Sequence, residues 1–548
     1  MSQSTPHCTA DLTALTSRVN ASAHRSVRFA RVKVDAEALF IRSNQLQLIS
    51  SIGNMITLTV LLVALVVTAV AYTPIRYLYD PLRLRRFPGP FLAAISPFWL
   101  TYHARRAQRY LAVDAAHKKC GKFVRISPNQ VSINDPDAIQ IVYGHQTGFL
   151  KSEFYDAFVS IHRGLFNTRD RGEHTRKRKI ISHTFSQQAI LGFEPLINKS
   201  LSLLLSRLSD MIDPATNSLT LDFLPWANYL AFDIIGDLAF GEPFHFIESG
   251  SDSNGAIRVL NDRGEWSATV GTIPWVRDWA RYFLFDRFWV RGYESVQQLA
   301  KIAVTAVDRR LQKSEEELEN RRDLLSFLLK ATDEEGEPLP RSEVNAEALT
   351  QLIAGSDTTS NTLTHIIDLL CRNPECKTEI QAELDEAFPE ITDDLALEWK
   401  DVKDLKYTAA VLDEVLRYRP TSALGLPRIV PPQGAEVCGV FFEGGTVLSV
   451  PSYSVHHDPN LWESPEEFRP ERWLDISKAS VEKYFIPFSY GPRSCVGRNV
   501  AVMELIKSMA SILRRFDFER VYPNEETVLR EGFLLKPTEL WVTMSKRA

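Results

Sequence analysis

A ten-residue segment near the C-terminus, FSYGPRSCVG from Phe488 to Gly497, constrains this chain more than any other feature of its sequence. It places Cys495 between two glycines, Gly491 and Gly497, and two residues after Arg493. Glycine lets the backbone pass close to the sulfur, where amide groups can stabilise a thiolate. A helix that begins near Gly497 would add the positive end of its dipole on the same side. The segment therefore predicts a thiolate ligand and not an inert cysteine of the core.

The spacing of the segment also identifies the expected metal centre. Phe488, Gly491, Arg493, Cys495 and Gly497 match all five fixed positions of the haem-binding loop FxxGxRxCxG, in which the cysteine is the axial ligand of the iron. An axial thiolate pushes electron density onto iron and favours cleavage of the O–O bond of reduced dioxygen. Arg493 is expected to reach a haem propionate through a charge-assisted hydrogen bond.

A second motif, AGSDTT (354–359), lies in a segment from Asn345 to Cys371 that has apolar residues at helical spacing. A glycine and paired threonines are unfavourable in the middle of a helix, which favours a functional reason for them. We expect small residues and an opened turn to leave room for dioxygen, while Asp357 and Thr358 relay protons to it after its reduction. The alternative is an N-cap or a loop, because the composition is also typical of turns.

Two further motifs predict a buried charged network. Glu414 and Arg417, in EVLR, lie one helical turn apart and can form an ion pair. Arg472, in PERW, can complete a Glu/Arg/Arg network, which the loss of any one member would strongly destabilise. Because E-x-x-R alone arises by chance in most chains of this size, the prediction depends on all three residues. Their predicted role is structural support of the cysteine loop.

The basic run HTRKRK, from 174 to 179, is predicted to be helical, with His174 and Arg178 on one face. If a haem is present, these two residues and Arg428, in LGLPRIV, are candidate partners of its propionates. A candidate docking surface for an acidic electron donor consists of Arg176, Lys177 and Lys179. The alternative is a solvated, charged helix face.

Helical patterns dominate the rest of the chain, so the predicted fold class is mainly α with minor β. Two stretches alternate apolar and polar residues around turn formers and predict small antiparallel sheets: FVRISPNQVSIND from Phe123 and GVFFEGGTVLSVPSY from Gly439. A last hairpin is expected in GFLLKPTELWVTM from Gly532. Since the 548 residues contain no repeat and no long interior linker, we expect one large domain, residues 91–548.

Taken in order, HTRKR, AGSDTT, ExxR, PERW and FSYGPRSCVG make the chain resemble the cytochrome P-450 superfamily from about Pro88 to the C-terminus. The resemblance implies that superfamily's fold, with haem b (iron protoporphyrin IX) between the oxygen-binding helix and the cysteine loop. It also implies a monooxygenase that receives electrons from NADPH through a reductase containing FAD and FMN.

Longer strings resemble one branch of that superfamily, the fungal benzoate 4-monooxygenases: GFLKSEFYDAFVSIHRGLFNTRDRGEHTRKRK, SHTFS, AGSDTTSNTL, TSALGLPR and FSYGPRSCVGRNV. This resemblance implies insertion of one oxygen atom at the para C–H bond of benzoate. A buried benzoate carboxylate would require hydrogen-bond donors or a cation. By resemblance, Lys151, His162 and Arg163 border the distal pocket and are candidates for this role. Each could instead be a solvent-facing charge or a further partner of the haem.

Three other functions remain open at this point. The enzyme could hydroxylate another aromatic, polyketide or terpenoid metabolite, because the pocket lining and not the fold determines the substrate. It could be a haem-thiolate isomerase or dehydratase, although the Asp357/Thr358 pair argues against this, since such enzymes omit proton delivery to bound oxygen. It could also be a non-catalytic haem protein, which would consume no NADPH.

The N-terminal region predicts a membrane anchor. No charged residue occurs from Ser43 to Ile75, and the apolar segment from Met55 to Tyr72 is long enough to span most of a bilayer as a helix. More basic residues follow this segment than precede it, so residues 76–548 should be cytosolic and residues 1–54 lumenal. By resemblance, the membrane is that of the endoplasmic reticulum. The alternatives for the apolar segment are a buried core helix or the apolar region of a signal peptide. For the residues before it, they are a mitochondrial transit peptide and a translation start at Met55.

The predicted anchor comprises residues 55–75, and RRFPGP within the following linker, residues 76–90, is expected to form a stiff elbow, because proline cannot continue a helix. The asparagine of Asn20-Ala21-Ser22 would be open to glycosylation in the lumen. The formal net charge of -5 argues against nucleic acid as a partner. The six cysteines lack zinc-site spacing, and a dense disulfide framework is not expected in a chain of this size.

Overall fold

The computed structural model describes residues 12–313, 321–333, 336–390 and 395–547. The chain divides into two compact units, Met1–Leu78 and Tyr79–Ala548. The described part of the first unit belongs to one helix, α1 (Leu12–Tyr79), which contains the predicted anchor. Residues 1–11 of the predicted lumenal segment lie outside the described residues. Among the helices described, none has a stretch both long and apolar enough to cross a membrane, so the predicted transmembrane helix is not confirmed.

The second unit is mainly helical, as predicted. Its helices are α2 (Phe91–Ile95), α3 (Phe98–Arg105), α4 (Arg109–Cys120), α5 (Pro136–Tyr143), α6 (Arg171–Ser182), α7 (Gln187–Leu191), α8 (Glu194–Met211), α9 (Phe223–Phe240), α10 (Phe246–Ser249), α11 (Ala256–Val270), α12 (Arg287–Leu311), α13 (Leu324–Lys330), α14 (Arg341–Arg372), α15 (Pro374–Ala387), α16 (Trp399–Val402), α17 (Lys406–Tyr418), α18 (Ser452–His456), α19 (Arg472–Asp475), α20 (Lys478–Val481) and α21 (Arg498–Arg515). Short 3₁₀ helices occur at Leu84–Arg86, Glu153–Phe158, His183–Phe185, Pro274–Tyr282 and Gly491–Arg493.

The strands are short and form small sheets. They are β1 (Phe123–Ser127), β2 (Gln130–Ile133), β3 (Leu150–Lys151), β4 (Leu219–Asp222), β5 (Arg428–Ile429), β6 (Ala435–Val437), β7 (Val440–Phe442), β8 (Val447–Ser449), β9 (Phe516–Arg520), β10 (Leu529–Glu531), β11 (Leu535–Pro537) and β12 (Trp541–Lys546). One sheet has the order β1-β2-β8-β5-β3, another has the order β4-β12-β9, and two are pairs, β6-β7 and β10-β11.

The strand predictions are correct in part. The hairpin of β1 and β2 is antiparallel as predicted. In the second stretch β7 pairs with β6 and not with β8, whereas β8 runs antiparallel to β5 and parallel to β2, which the long intervening chain permits. The predicted C-terminal hairpin is wrong, because β11 pairs with β10, whereas β12 pairs with β4 and β9. The backbone at Leu540 explains the separation. It donates to the Asp222 carboxylate and accepts from the Phe223 amide, which directs the last strand to a different sheet.

The 32-residue helix α14 organises the interior of the second unit. Most of its residues between Glu343 and Leu370 are buried, and four of those that are not, Thr350, Ile353, Ala354 and Thr358, lie on one face, which borders a cavity. It packs against α9, α12, α17 and α21, and apolar residues of these helices join one large core. Because α21 begins directly after the cysteine loop, the packing of α14 on α21 brings AGSDTT near Cys495.

Candidate active site

The cysteine loop is held in a tight turn that only glycine permits at one position. Gly491 has a φ of 72°, and a Cβ atom added there would lie 2.0 Å from the carbonyl oxygen of Tyr143. The amide of Cys495 donates to the carbonyl of Phe488 at 2.9 Å, and the amide of Ser494 donates to the carbonyl of Gly491 at 3.0 Å. These bonds close the loop on itself and fix the backbone that carries the sulfur.

The surroundings of Cys495 act on its thiol in opposite directions. Burial raises its pKa, whereas the Gly497 amide and the Arg178 and Arg498 guanidinium groups favour the thiolate. Gly497 is the N-cap residue of α21, so the positive end of that helix lies beside the sulfur as expected. A soft metal ion bound to the sulfur would complete its deprotonation.

Cys495 borders a cavity of about 280 Å³, far more than one water molecule needs. The AGSDTT motif reaches the same cavity through Ala354, Asp357, Thr358 and Thr359. Most of the remaining wall is apolar and comes from α11, α14, the segment 158–167 and the loops that follow α17 and β10. The structure thus brings together, around one space, two motifs that are far apart in sequence.

Within α14, Asp357 is buried, and burial raises the pKa of its carboxyl. The Thr358 hydroxyl donates to the carbonyl of Ala354 at 2.7 Å, and the helix is continuous here. The expected opened turn is therefore absent from α14, as is the alternative N-cap or loop. Close packing explains the glycine at position 355 instead, because a Cβ atom added there would lie 2.6 Å from Cδ1 of Ile235 on α9.

The sequence reasoning missed Glu504, a buried acid on α21. Thr359, which borders the cavity, donates to the Glu504 carboxylate at 3.1 Å. Burial raises the pKa of Glu504 to about 8, with the Thr359 hydrogen bond opposing the shift. An acid among the apolar residues of the buried face of α21, one turn after Val500, was the available signal. With a pKa of about 8, Glu504 can hold a proton near the cavity at neutral pH, and burial shifts the pKa of Asp357 in the same direction.

A cluster of five basic residues lies beside the cysteine loop: Lys151, His174, Arg178, Arg428 and Arg493. Strands β3 and β5 pair Lys151 with Arg428, and Arg178 donates to the carbonyl of Ser494 at 2.6 Å. Burial lowers the pKa of His174 to about 3, and the four neighbouring cations add to the effect. Burial likewise holds the pKa of Lys151 well below its usual value.

This basic cluster has no carboxylate within ion-pair distance among the described residues. Arg493 donates only to backbone carbonyls, those of Thr168 at 2.6 Å and Arg169 at 3.0 Å being the shortest contacts. Arg428 donates to the Tyr155 hydroxyl at 2.8 Å. The four cations of this cluster, of which Lys151 and Arg428 are buried and Arg178 and Arg493 half-buried, lack their anions in the described part of the chain, and the two propionates of a haem would supply them. The residues present therefore fit a haem, with Cys495 as iron ligand and these cations as propionate partners.

The three substrate candidates occupy different environments. Lys151 donates to the carbonyl of Phe166 and belongs to the basic cluster, and it is not part of the cavity wall. Arg163 pairs with Asp156 at 2.8 Å, is half-exposed and does not border the cavity either. His162 does border it. The cations that line the cavity are instead Arg263 and Arg493 and, on β11, Lys536.

The structure brings Glu414, Arg417 and Arg472 into one buried network. Glu414 accepts from Arg417 at 2.8 and 2.9 Å and from Arg472 at 3.2 Å. The indole of Trp473 and the amide of Arg469 also donate to it, each at 2.9 Å. Arg417 further donates to the carbonyls of His456, Pro465 and Glu467. The network therefore ties α17 to the segment that precedes the cysteine loop.

The proposed docking surface on α6 is wrong for Lys177. Its side chain is fully buried and pairs with Glu343 of α14 at 2.7 Å. Arg176 pairs with the same carboxylate and with Glu173, while Lys179 is exposed. The basic run thus has one face against α14, because the helix places Glu343 and Glu347 opposite it.

Comparison with known proteins agrees with this geometry. The family model for cytochrome P-450 matches residues 88–544. The chain is 48% identical over 485 residues to benzoate 4-monooxygenase bphA of Aspergillus niger, covering 85% of this chain and 93% of that protein. It is 31% identical over 455 residues to a cytochrome P-450 monooxygenase of Aspergillus terreus, covering 80% and 91%. The chain therefore belongs to the cytochrome P-450 family and is a monooxygenase.

Proposed function

We propose that the enzyme hydroxylates benzoate at its para position. The observation that carries the proposal is the 48% identity, over 93% of its length, to the benzoate 4-monooxygenase of Aspergillus niger. Two other monooxygenases of the family, from Aspergillus terreus and Talaromyces stipitatus, are 31% and 29% identical to the chain. The overall reaction is benzoate + O₂ + NADPH + H⁺ giving 4-hydroxybenzoate, NADP⁺ and water. Two electrons from NADPH and two protons reduce the second oxygen atom to water.

Haem bound through Cys495 would supply the binding and activation of dioxygen. The protein residues have other tasks in the proposed reaction. Asp357, whose carboxyl pKa is raised by burial, would release protons towards the cavity, and the Thr358 hydroxyl beside it would pass them on. The apolar wall would exclude bulk water and contact the aromatic ring.

The proposed electron donor is an NADPH-dependent reductase that carries FAD and FMN. We also propose a single-pass anchor, residues 55–75, in the endoplasmic reticulum membrane with the catalytic domain in the cytosol. Two observations support membrane attachment. The sequence from Ser43 to Ile75 is uncharged, and the segment of Pro274–Tyr282 and the residues after it exposes large apolar side chains: Trp275, Trp279, Tyr282, Leu284 and Phe285.

A product assay tests the proposed reaction. The full chain is expressed in yeast membranes with a fungal reductase, supplied with benzoate and NADPH, and analysed for 4-hydroxybenzoate by chromatography. We expect product from the intact chain and none from Cys495→Ala. A chain that shows the reduced carbon-monoxide band near 450 nm and consumes NADPH with other substrates, yet forms no 4-hydroxybenzoate, would refute the benzoate assignment.

Topology is tested separately. If residues 1–54 are lumenal, Asn20 can be glycosylated, and endoglycosidase treatment will shift the intact chain but not Asn20→Gln on a gel. Removal of residues 1–75 should release the protein from the membrane fraction at high salt. Retention of the shortened chain in carbonate-washed membranes would contradict an anchor at residues 55–75.

A further inference from the structure

Arg263 is a buried cation in the wall of the active-site cavity. It lies on α11, is 4% exposed and borders the same space as Cys495 and Asp357. Its Nη2 donates to the carbonyl of Phe158 at 2.9 Å and to the Ser160 hydroxyl at 3.3 Å. Its Nε has no hydrogen-bond partner among the residues that the structure describes. Since a guanidinium carries five N–H donors, these contacts leave part of its donor capacity unused.

The charge of Arg263 is also incompletely balanced. Within the described ranges no carboxylate comes within ion-pair distance of it. Burial lowers its pKa to about 10, which the Asp357 carboxylate partly opposes and Arg277 reinforces. At neutral pH the side chain remains a cation. A buried cation of this kind is unfavourable unless an anion joins it, and the cavity is the space from which an anion can come.

The neighbours of Arg263 indicate the shape of that anion. Phe158, whose carbonyl accepts from Arg263, forms an edge-to-face trio with Phe166 and Phe533. The three ring centroids lie 5.0–5.6 Å apart, and all three phenylalanines border the cavity. The guanidinium group of Arg263 thus lies next to three flat, apolar phenylalanine rings. Guanidinium matches a carboxylate in a bidentate manner, and aromatic edges and faces suit a planar ring.

We propose that Arg263 binds the carboxylate of an aromatic acid and that Phe158, Phe166 and Phe533 contact its ring. The proposal rests on the proposed benzoate hydroxylation and deepens it by naming the specificity-determining residue. Among the other cations of the cavity wall, Arg493 is engaged with three carbonyls of the 168–170 segment, and Lys536 donates to the side chain of Asn261. Of the three, Arg263 is the cation that donates to a residue of the aromatic trio within the described part of the chain.

The test compares two ligands that differ only in charge. Benzoate and benzamide share a ring and a planar substituent, but only benzoate is an anion at pH 7. Their dissociation constants are measured from the absorption change of the haem protein on titration, for the wild type, Arg263→Gln, Arg263→Lys and Lys536→Gln. Arg277→Gln is the matched control, because Arg277 also donates to a backbone carbonyl, that of Val159, but does not border the cavity.

We expect Arg263→Gln to weaken benzoate binding about 30- to 100-fold, as for truncation of one partner of a buried charge pair. Benzamide binding should change less than about threefold, because it loses a hydrogen bond to an uncharged ligand at most. Arg263→Lys keeps the charge and should retain a preference for benzoate over benzamide. Lys536→Gln and Arg277→Gln should resemble the wild type. The carbon-monoxide band of each variant reports that its haem site is intact.

The outcomes separate the two proposals. Equal benzoate binding by wild type and Arg263→Gln, with product still formed, overturns the role of Arg263 and leaves the proposed function standing. Loss of the benzoate preference in Lys536→Gln alone also overturns it. If the wild type forms no 4-hydroxybenzoate but prefers cinnamate over cinnamamide in an Arg263-dependent way, the carboxylate site stands and the benzoate assignment fails. Should Arg263→Gln not fold, a wild-type or Arg263→Lys protein without a preference for the acid still refutes the inference.

Discussion

Replacing Glu414 by glutamine should strongly destabilise the haem domain. The side chain is fully buried and accepts five hydrogen bonds, two from Arg417 and one each from Arg472, the Arg469 amide and the Trp473 indole. Glutamine has nearly the same shape but brings an NH₂ group that cannot accept. Two buried guanidinium groups would then lack a counter-charge.

The expected loss is about 3–5 kcal/mol in the free energy of unfolding, the range for breaking a buried ion pair from one side. This is a large fraction of the roughly 5–15 kcal/mol that stabilises a typical protein. Urea unfolding followed by the haem absorption measures it. The control is Glu463→Gln, because Glu463 is an exposed acid that pairs with Arg469 in the same region, and its loss should leave the midpoint within experimental scatter.

A Glu414→Gln protein that takes up haem fully and unfolds at the urea concentration of the Glu463→Gln control would refute this reasoning. Failure of Glu414→Gln to show the carbon-monoxide band, while the control shows it, agrees with the expected loss. A double-mutant cycle with Trp473→Phe separates the indole bond from the charge effect. The coupling should be smaller than that between Glu414 and Arg417, because one bond and no charge is involved.

Three further predictions concern the loop, the proton path and pH. Gly491→Ala should abolish haem incorporation, because its Cβ would lie 2.0 Å from the Tyr143 carbonyl. Gly121→Ala, at a φ of 90° but in open space, should lower stability only by the backbone strain, about 1–3 kcal/mol. Haem content and thermal unfolding check this, and an intact carbon-monoxide band in Gly491→Ala would contradict it. The Asp357→Asn enzyme should bind benzoate with wild-type affinity, but more of its NADPH consumption should yield hydrogen peroxide, and its rate of product formation should be at least tenfold lower. An unchanged yield of product per NADPH would exclude Asp357 from proton delivery. Burial lowers the pKa of His365 to about 3, so the unfolded chain binds the proton first and stability falls as the pH drops below about 6.5. At pH 5 this contribution amounts to about 2 kcal/mol, and the melting temperature of His365→Gln should therefore fall less between pH 7 and pH 5 than that of the wild type; parallel curves would show that His365 is not responsible.

Local motifs allowed much of the site to be predicted from the sequence. The cysteine loop around Cys495 and the Glu414/Arg417 pair are each formed by residues close together in sequence, so both can be recognised from the sequence alone. Lys177 and Gly355 were misread because their surroundings come from other elements. Lys177 looked like a surface charge until α14 placed Glu343 against it, and Gly355 makes room for Ile235 of α9.

Arg263 had no comparable signal in the sequence. It stands in an ordinary amphipathic helix, and its partner Phe158 lies 105 residues earlier. The packing of α11 over the cavity is what makes Arg263 a residue of the active-site wall. The prediction of a C-terminal hairpin was wrong for a similar reason. Asp222, which is distant in sequence, determines where the last strand pairs.

The basic cluster beside the cysteine loop has a consequence for how the protein accumulates in the cell. The cations Lys151, Arg178, Arg428 and Arg493 repel one another in the folded chain, so the polypeptide without its cofactor carries an electrostatic penalty, which the lowered pKa of Lys151 reflects. A dianionic cofactor removes that penalty only in the folded state, and each tenfold rise in its free concentration above the dissociation constant adds about 1.4 kcal/mol of stability. The amount of this protein in a cell is therefore expected to follow the supply of haem as closely as transcription of its gene, and a haem-starved cell should degrade newly made chains.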